Sequence, residues 1–277
     1  MSKLEGKVFL AFGSASGMGK ATAKLFAAQG AKVIVADVSG EAALSVADEI
    51  NRSGGKAVAR IANVYLEEDI AAAVQFAVDT YGKLDILLYQ PGRNTVSSLV
   101  DLDTEVWNDV IKLNLTGPFL AIKYAAKAME KTGGGSILVT SSLNSTMPCK
   151  KFAAYCSTKS AVDMLVRVAA LELGPKIRVN TINPGFMNTP QIAPFTSNQP
   201  LMDVVMKSHS TDRIGQPEDF ARLALFLSSD DSGYITGANY IMDGGLRNYG
   251  YPDIIEMHLE NKRRLAAEAQ AKADAGA

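Results

Sequence analysis

Seven short runs of aliphatic and β-branched residues, separated for the most part by longer stretches with helical periodicity, constrain this chain more than any other feature. The strand candidates are residues 7–12, 32–37, 56–61, 84–89, 136–141, 177–182 and 239–242. The helical patterns occupy 17–29, 40–53, 67–82, 104–131, 152–173 and 217–229. Several strands are apolar at nearly every position, as in Val33-Ile34-Val35-Ala36. That pattern belongs to a parallel sheet covered on both faces. Strand and helix in alternation form right-handed βαβ units, which predicts an α/β fold with a doubly wound parallel sheet. There is no internal repeat and no flexible linker, so residues 1–277 are read as one domain.

Composition narrows the function. With 277 residues and 47% of them apolar, the chain can bury a large core. A net charge of −1 gives no electrostatic case for nucleic acid or an anionic membrane. The longest apolar runs are too short to cross a bilayer, and the first residues lack a signal peptide's apolar segment. A cytoplasmic protein is expected. Cys149 and Cys156 are too few for a disulfide framework, and His209 and His258 form no metal-ligand cluster with them.

The first strand runs into Gly13-Ser14-Ala15-Ser16-Gly17-Met18-Gly19, and a helix follows. Glycines permit a tight turn and close backbone approach to a pyrophosphate, and the helix N-terminus offers free N–H donors. The second strand ends at Asp37. A carboxylate there accepts hydrogen bonds from adenosine ribose hydroxyls and repels a 2′-phosphate. Neither Ser16 nor Val38 is basic, so the pattern favours NAD(H) over NADP(H).

Tyr155 and Lys159 stand one helical turn apart, and Ser142 follows the apolar run Ile137-Leu138-Val139. A lysine ammonium beside a phenol lowers its pKa and lets it pass a proton near neutral pH. A serine at a strand end can orient the substrate oxygen. Alone, the Tyr-x-x-x-Lys pair equally describes an amphipathic helix with a snorkelling lysine.

Together these motifs resemble the short-chain dehydrogenase/reductase family over about residues 5–245. The resemblance implies a Rossmann-type sheet of about seven strands in the order 3-2-1-4-5-6-7. It implies a catalytic tetrad of Asn114, Ser142, Tyr155 and Lys159, with Tyr155 as general acid/base and Asn114 holding a water in a proton relay. It implies an NAD site formed by Gly13, Ser16, Gly17, Met18, Gly19, Asp37, Asn63, Val64, Gly92, Tyr155, Lys159, Pro184, Gly185, Met187 and Thr189. A homotetramer or homodimer built on the helices 104–131 and 152–173 follows from the same resemblance.

Three positions depart from the family pattern. Phe12 replaces a threonine, Tyr89-Gln90-Pro91-Gly92 replaces Asn-Asn-Ala-Gly, and Asn63 stands where an Asp commonly touches adenine. Phe12 and Pro91 are expected to pack together in place of the lost polar tie. Asn63 is expected to reach adenine through its side-chain oxygen.

Ser142, Asn144, Met147, Phe152, Tyr155 and Phe186 are expected to line the substrate site, with Leu143 and Met187 beside them. Residues 185–216 predict a partly helical lid. The apolar lining points to a mainly hydrophobic alcohol or carbonyl, with a hydroxysteroid or bile acid among the candidates. The extension from 246 to 277 has an apolar cluster near Ile254 and ends in an Ala-rich helix expected to fray. The cluster could lie on its own subunit or reach a neighbour. Two rival readings are a lyase-like relative without hydride transfer and an NAD-binding regulatory subunit. Relatives of the first kind lose the glycine turn and the lysine, and both are present here.

Overall fold

The computed structural model describes residues 2–250 and 254–275. Seven parallel strands form one sheet: β1 (Val8–Phe12), β2 (Lys32–Asp37), β3 (Lys56–Ile61), β4 (Ile86–Tyr89), β5 (Gly135–Thr140), β6 (Ile177–Pro184) and β7 (Asn239–Met242). Their order is 3-2-1-4-5-6-7, as the resemblance implies. The strands β1, β4 and β5 carry almost no exposed residue, because helices cover both faces.

One face is covered by α1 (Gly17–Ala28), α2 (Gly40–Arg52) and α9 (Pro217–Ser228), whose apolar sides meet Phe9, Val33, Leu88 and Leu138. The other carries α3 (Glu67–Tyr81), α5 (Gly117–Met129) and α6 (Ala153–Leu173) over Leu10, Ile34, Leu87 and Ile137. Local chemistry sets the helix ends. Three acidic residues, Glu67, Glu68 and Asp69, complement the N-terminal dipole of α3, and Gly82 closes it at φ 82°. Pro217 opens α9 inside a Gln216–Asp219 capping box.

The sheet order reverses between β1 and β4, so the crevice beyond their C-terminal ends is the natural ligand site.

The single helix expected over 104–131 is interrupted. Helix α4 (Thr104–Ile111) passes into a π turn at Lys112–Thr116 before α5. Pro118 explains this: it lacks an N–H, and its ring would strike the carbonyl four residues back. The Gly117 N–H bonds Lys112 O, five residues back.

The segment 185–216 is partly helical, through α7 (Ala193–Thr196) and α8 (Gln199–Lys207), and its far end returns to the sheet side through a Met187–Gly215 bridge. Two helices follow β7: α10 (Leu246–Tyr249) and α11 (Ile254–Ala275). The expected Ala-rich helix is the later part of α11, whose first turn is buried: Ile254 and Ile255 join Leu201 and Val205 of α8 in an apolar cluster. The described part of the extension packs on the lid of its own subunit; residues 251–253 of the same extension lie outside the described residues. Among the described residues no helix is long and apolar enough to cross a membrane.

Candidate active site

The cofactor groove is made by the turn after β1. Gly13 and Gly17 adopt φ 71° and 51°, a region that side-chain-bearing residues avoid. At Gly19 a Cβ would stand 2.2 Å from Gly13 O, so the helix can pack on the turn only with glycine there. The Ser16 side chain does not cap α1, and no acidic residue occupies its first turn. The first N–H groups of α1 are thus left for a ligand, and an anion suits them. Gly13, Ser16, Gly17, Met18, Asp37, Asn63, Val64, Gly92 and Thr189 all line one groove of about 350 Å³. Asp37 is held in place by Ala15 N–H at 3.1 Å and Ser39 N–H at 3.1 Å. This donor set, a bare helix N-terminus beside a fixed carboxylate, fits a dinucleotide with a free ribose diol. Gly19 lies beneath the groove.

One expectation about the adenosine side needs correction, and a second is constrained. Phe12 and Pro91 are given different partners. Phe12 stands in register with Tyr89, and their rings are 6.1 Å apart inside the core. Pro91 lies over Gly13, where its ring would be 3.0 Å from a Cβ. Side-chain alternation sends Phe12 and Tyr89 to the same sheet face, whereas Pro91 lies past the strand. The Asn63 oxygen is turned into its own turn, accepting the Tyr65 N–H at 3.1 Å. The oxygen's second lone pair and the amide nitrogen both remain for a ligand.

Tyr89 does more than fill the core. Its hydroxyl donates to Leu113 O at 2.8 Å. That carbonyl has lost its helical donor, because Gly117 N–H bonds Lys112 O and residue 118 is proline. Gly117 is required for the approach: a Cβ there would stand 2.0 Å from the Tyr89 hydroxyl. An unsatisfied buried carbonyl costs about 1–3 kcal/mol, so the phenol stabilises the turn that carries Asn114.

The Asn114 side chain is fully engaged. Its oxygen accepts Arg93 N–H at 3.0 Å, and its amide donates to Arg93 O at 2.9 Å and to the Thr158 hydroxyl at 3.3 Å. It clamps the strand-β4 exit, next to Gly92, against α6. Its backbone carbonyl lacks the usual donor four residues on, because residue 118 is proline.

Ser142, Tyr155 and Lys159 converge on a second cavity of about 320 Å³. Ser142 Oγ accepts Asn144 N–H at 3.1 Å and hydrogen-bonds the Tyr155 phenol. Lys159 Nζ sits 5.6 Å from the Tyr155 ring centre and donates to Thr140 O at 2.8 Å. Burial pushes Lys159 down to about 8, with the Asp163 carboxylate opposing. The expected acidified phenol is not what the protein's own residues produce: burial pushes Tyr155 up, and only the Ser142 hydrogen bond pulls it down. Burial acts on both members of the pair, raising the phenol and lowering the lysine, because it disfavours each charged form. Burial thus favours the neutral form of the Tyr155 phenol.

Behind these residues lies a buried polar frame that the sequence reading missed. Asn183 donates to Asp163 at 2.9 and 3.1 Å, to the Ser145 hydroxyl at 2.9 Å and to Ser142 O at 3.3 Å. The continuing four-residue ladder Tyr155–Lys159–Asp163 is the sequence signal that could have found it. Gln90 accepts from the Thr140 hydroxyl at 2.8 Å and lines both cavities.

Pro184, Gly185, Met187, Asn144, Phe152 and Phe186 line the second cavity with the triad. Met147 does not: it is buried against Leu143 and Leu246, and its carbonyl holds the Asn144 amide at 3.1 Å. Ile254 and Ile255 join the lining instead, from the extension that was expected either to lie on its own subunit or to reach a neighbour.

The sequence matches the family described as enoyl-(acyl carrier protein) reductase across residues 13–247. It is 40% identical over 245 residues to a cyclohexanol dehydrogenase from Acinetobacter sp. (strain SE19), covering 88% of this chain and 96% of that protein. It is 40% identical over 248 residues to a 2,5-dichloro-2,5-cyclohexadiene-1,4-diol dehydrogenase from Sphingobium indicum, covering 88% and 97%. A 7α-hydroxysteroid dehydrogenase solved with NADH and 7-oxo glycochenodeoxycholic acid superposes with a TM-score of 0.84 at 33% identity, covering 88% of this chain and 94% of that one. Sheet order, glycine turn and these similarities lead to one conclusion: the chain belongs to the short-chain dehydrogenase/reductase family and is an NAD(H)-linked oxidoreductase acting on alcohols and ketones.

Proposed function

We propose that the protein interconverts a compact alicyclic secondary alcohol and its ketone, with NAD(H) preferred over NADP(H). The observation that carries this reading is the meeting of Ser142, Tyr155 and Lys159 in an apolar cavity that shares Met18, Gln90, Gly92 and Thr189 with the cofactor groove. NAD(H), when bound, supplies or accepts the hydride. The chain does the rest. The Ser142 hydroxyl holds the substrate oxygen. Tyr155 gives its phenolic proton to that oxygen in reduction and takes it back in oxidation. Lys159, fixed by Thr140 O, steadies the charge that develops on the phenol. Asn114 keeps the Arg93 backbone, and so the Gly92 wall, in place. Gly13, Ser16, Gly17, Met18 and Gly19 cradle the pyrophosphate, Asp37 selects the ribose, and Pro184, Gly185, Met187 and Thr189 border the nicotinamide.

Cavity size favours a single ring. At about 320 Å³, part of it needed for the nicotinamide end, the space is small for a binding pocket. Phe152, Phe186 and Phe195 make the remainder apolar. A cyclohexanol dehydrogenase and a cyclohexadienediol dehydrogenase among the relatives point the same way. The hydroxysteroid reading rests on the likeness to the 7α-hydroxysteroid enzyme. Association through the long helices is supported by Phe119, Met164, Val168 and Leu171, which are exposed on α5 and α6. A panel of cyclohexanol, cyclohexane diols, 2-decalol and a 7α-hydroxysteroid, assayed with NAD⁺ and NADP⁺ by nicotinamide absorbance, tests the proposal. Turnover of single-ring alcohols with NAD⁺ supports it. Steroid turnover alone replaces the substrate class, and no turnover with any alcohol returns the lyase-like and regulatory readings.

A further inference from the structure

The match to the family ends at residue 247, yet the substrate cavity has a wall built from residues beyond it. Ile254 and Ile255 line the cavity and are 4% and 2% exposed. They pack on Leu201 and Val205 of the lid. One turn on, His258 stacks on Phe195 with ring centres 4.4 Å apart and planes 22° from parallel. The spacing Ile254–His258 puts both on one side of α11, so that side lies along the lid. A charged contact fastens the same turn from another direction: Glu256 is ion-paired with Lys151 in the loop before α6. Among the described residues Lys151 is the one non-glycine residue in the left-handed region, at φ 67°. Such a conformation persists only where its surroundings hold it. Its carbonyl also accepts Ser97 N–H at 3.1 Å, and Ser97 follows Val96, another cavity residue. Lys151 therefore ties three segments of the cavity rim together.

We propose that α11 is the size-limiting wall of the substrate site: Ile254 and Ile255 hold the cavity to a single-ring alcohol, and the Lys151–Glu256 pair fastens the wall. The ring size it names rests on the alicyclic reading above; the wall itself rests on the packing. The wall acts on what can enter, since none of its residues lies beside Asp37 or the glycine turn. Removal of apolar wall atoms changes discrimination between substrates by about 10–200-fold in a hydrophobic pocket.

The test compares wild type with the double variant Ile254→Ala/Ile255→Ala and with Glu256→Gln, using NADH fluorescence to show that the cofactor half is intact. Two readouts follow. In the first, kcat/KM is measured for cyclohexanol and 2-decalol. The double variant is expected to lose about tenfold on cyclohexanol and to gain about tenfold on 2-decalol. An unchanged ratio overturns the proposal. The second needs no turnover: alkylation of Cys149, a half-buried cavity residue packed against the same cluster, is followed by peptide mass spectrometry. Both variants are expected to react several-fold faster than wild type, and equal rates overturn the wall. If wild type oxidises no ring alcohol but Cys149 becomes reactive in the variants, the alicyclic reading falls and the wall stands.

Discussion

The two halves of the cleft are built from opposite materials. On the cofactor side, backbone is approached too closely for any side chain to fit: a Cβ at Gly19 would stand 2.2 Å from the Gly13 carbonyl oxygen, and one at Gly117 would stand 2.0 Å from the Tyr89 hydroxyl. On the substrate side, side chains from the lid, the loop before α6 and α11 meet in an apolar cluster. The first arrangement fixes one ligand and forgives no added atom. The second can be resized by changing a methyl group, which is how one fold serves many substrates. The same contrast holds for the departures from the family pattern. Phe12, Tyr89 and Pro91 change the chemistry of the cofactor side without opening it, because each fills its own place: Phe12 against Tyr89, Tyr89 against Leu113 O, Pro91 over Gly13.

The largest effect that would sharpen this comparison lies where the halves meet. Tyr155→Phe is expected to lower turnover by about 10²–10⁴-fold while NADH binding survives. Unchanged turnover would remove Tyr155 as the acid/base. Next, Gly19→Ala is expected to cost about 1–3 kcal/mol, read in cofactor affinity or in the urea midpoint, because backbone cannot move aside as a side chain can. Ile254→Ala should leave NADH affinity unchanged; equal losses from both would break the contrast. Tyr89→Phe keeps the ring and removes the donor to Leu113 O, so a loss of about 1–3 kcal/mol in stability is expected. A kcat that falls while KM holds would show that the Asn114 turn matters to the chemical step as well as to folding.

The smallest effect concerns the return end of the lid. The Arg213 guanidinium beside Asp219, with Gln216 N–H and Arg222, holds that carboxyl well below its usual range. The unfolded chain takes up this proton first as pH falls. Asp219 therefore stabilises the fold fully above its unfolded value of 3.8 and progressively less below it. Urea midpoints measured between about pH 7 and about pH 3 should fall less steeply for Asp219→Asn than for wild type. Parallel curves would contradict this.

Most of the frame was legible in the sequence because its signals are local. Apolar strands, the glycine turn and the one-turn spacing of Tyr155 and Lys159 each lie within a few residues, and all seven strands fall where periodicity puts them. What escaped depends on contacts distant in sequence. The interruption of the long helix was written in Pro118, but its repair by Tyr89 joins residues 24 apart. The acidity of Tyr155 depends on burial, which spacing does not report. Met147 was expected in the pocket and Ile254 only in an apolar cluster of undecided partner, because a long loop and a tail carry no period that says which side faces the cavity.

Despite its altered residues, the cofactor half is predicted to bind NAD(H), with Asp37 as the selector. Titration of the purified protein with NADH and, in parallel, NADPH, followed by nicotinamide fluorescence, tests it most directly. Saturable NADH binding at least about tenfold tighter than NADPH, with the gap reduced in Asp37→Ala, is the predicted result; it corresponds to loss of a hydrogen-bonded charge contact of about 1.5–3 kcal/mol. Equal affinities in wild type, or binding of neither nucleotide, would contradict the account.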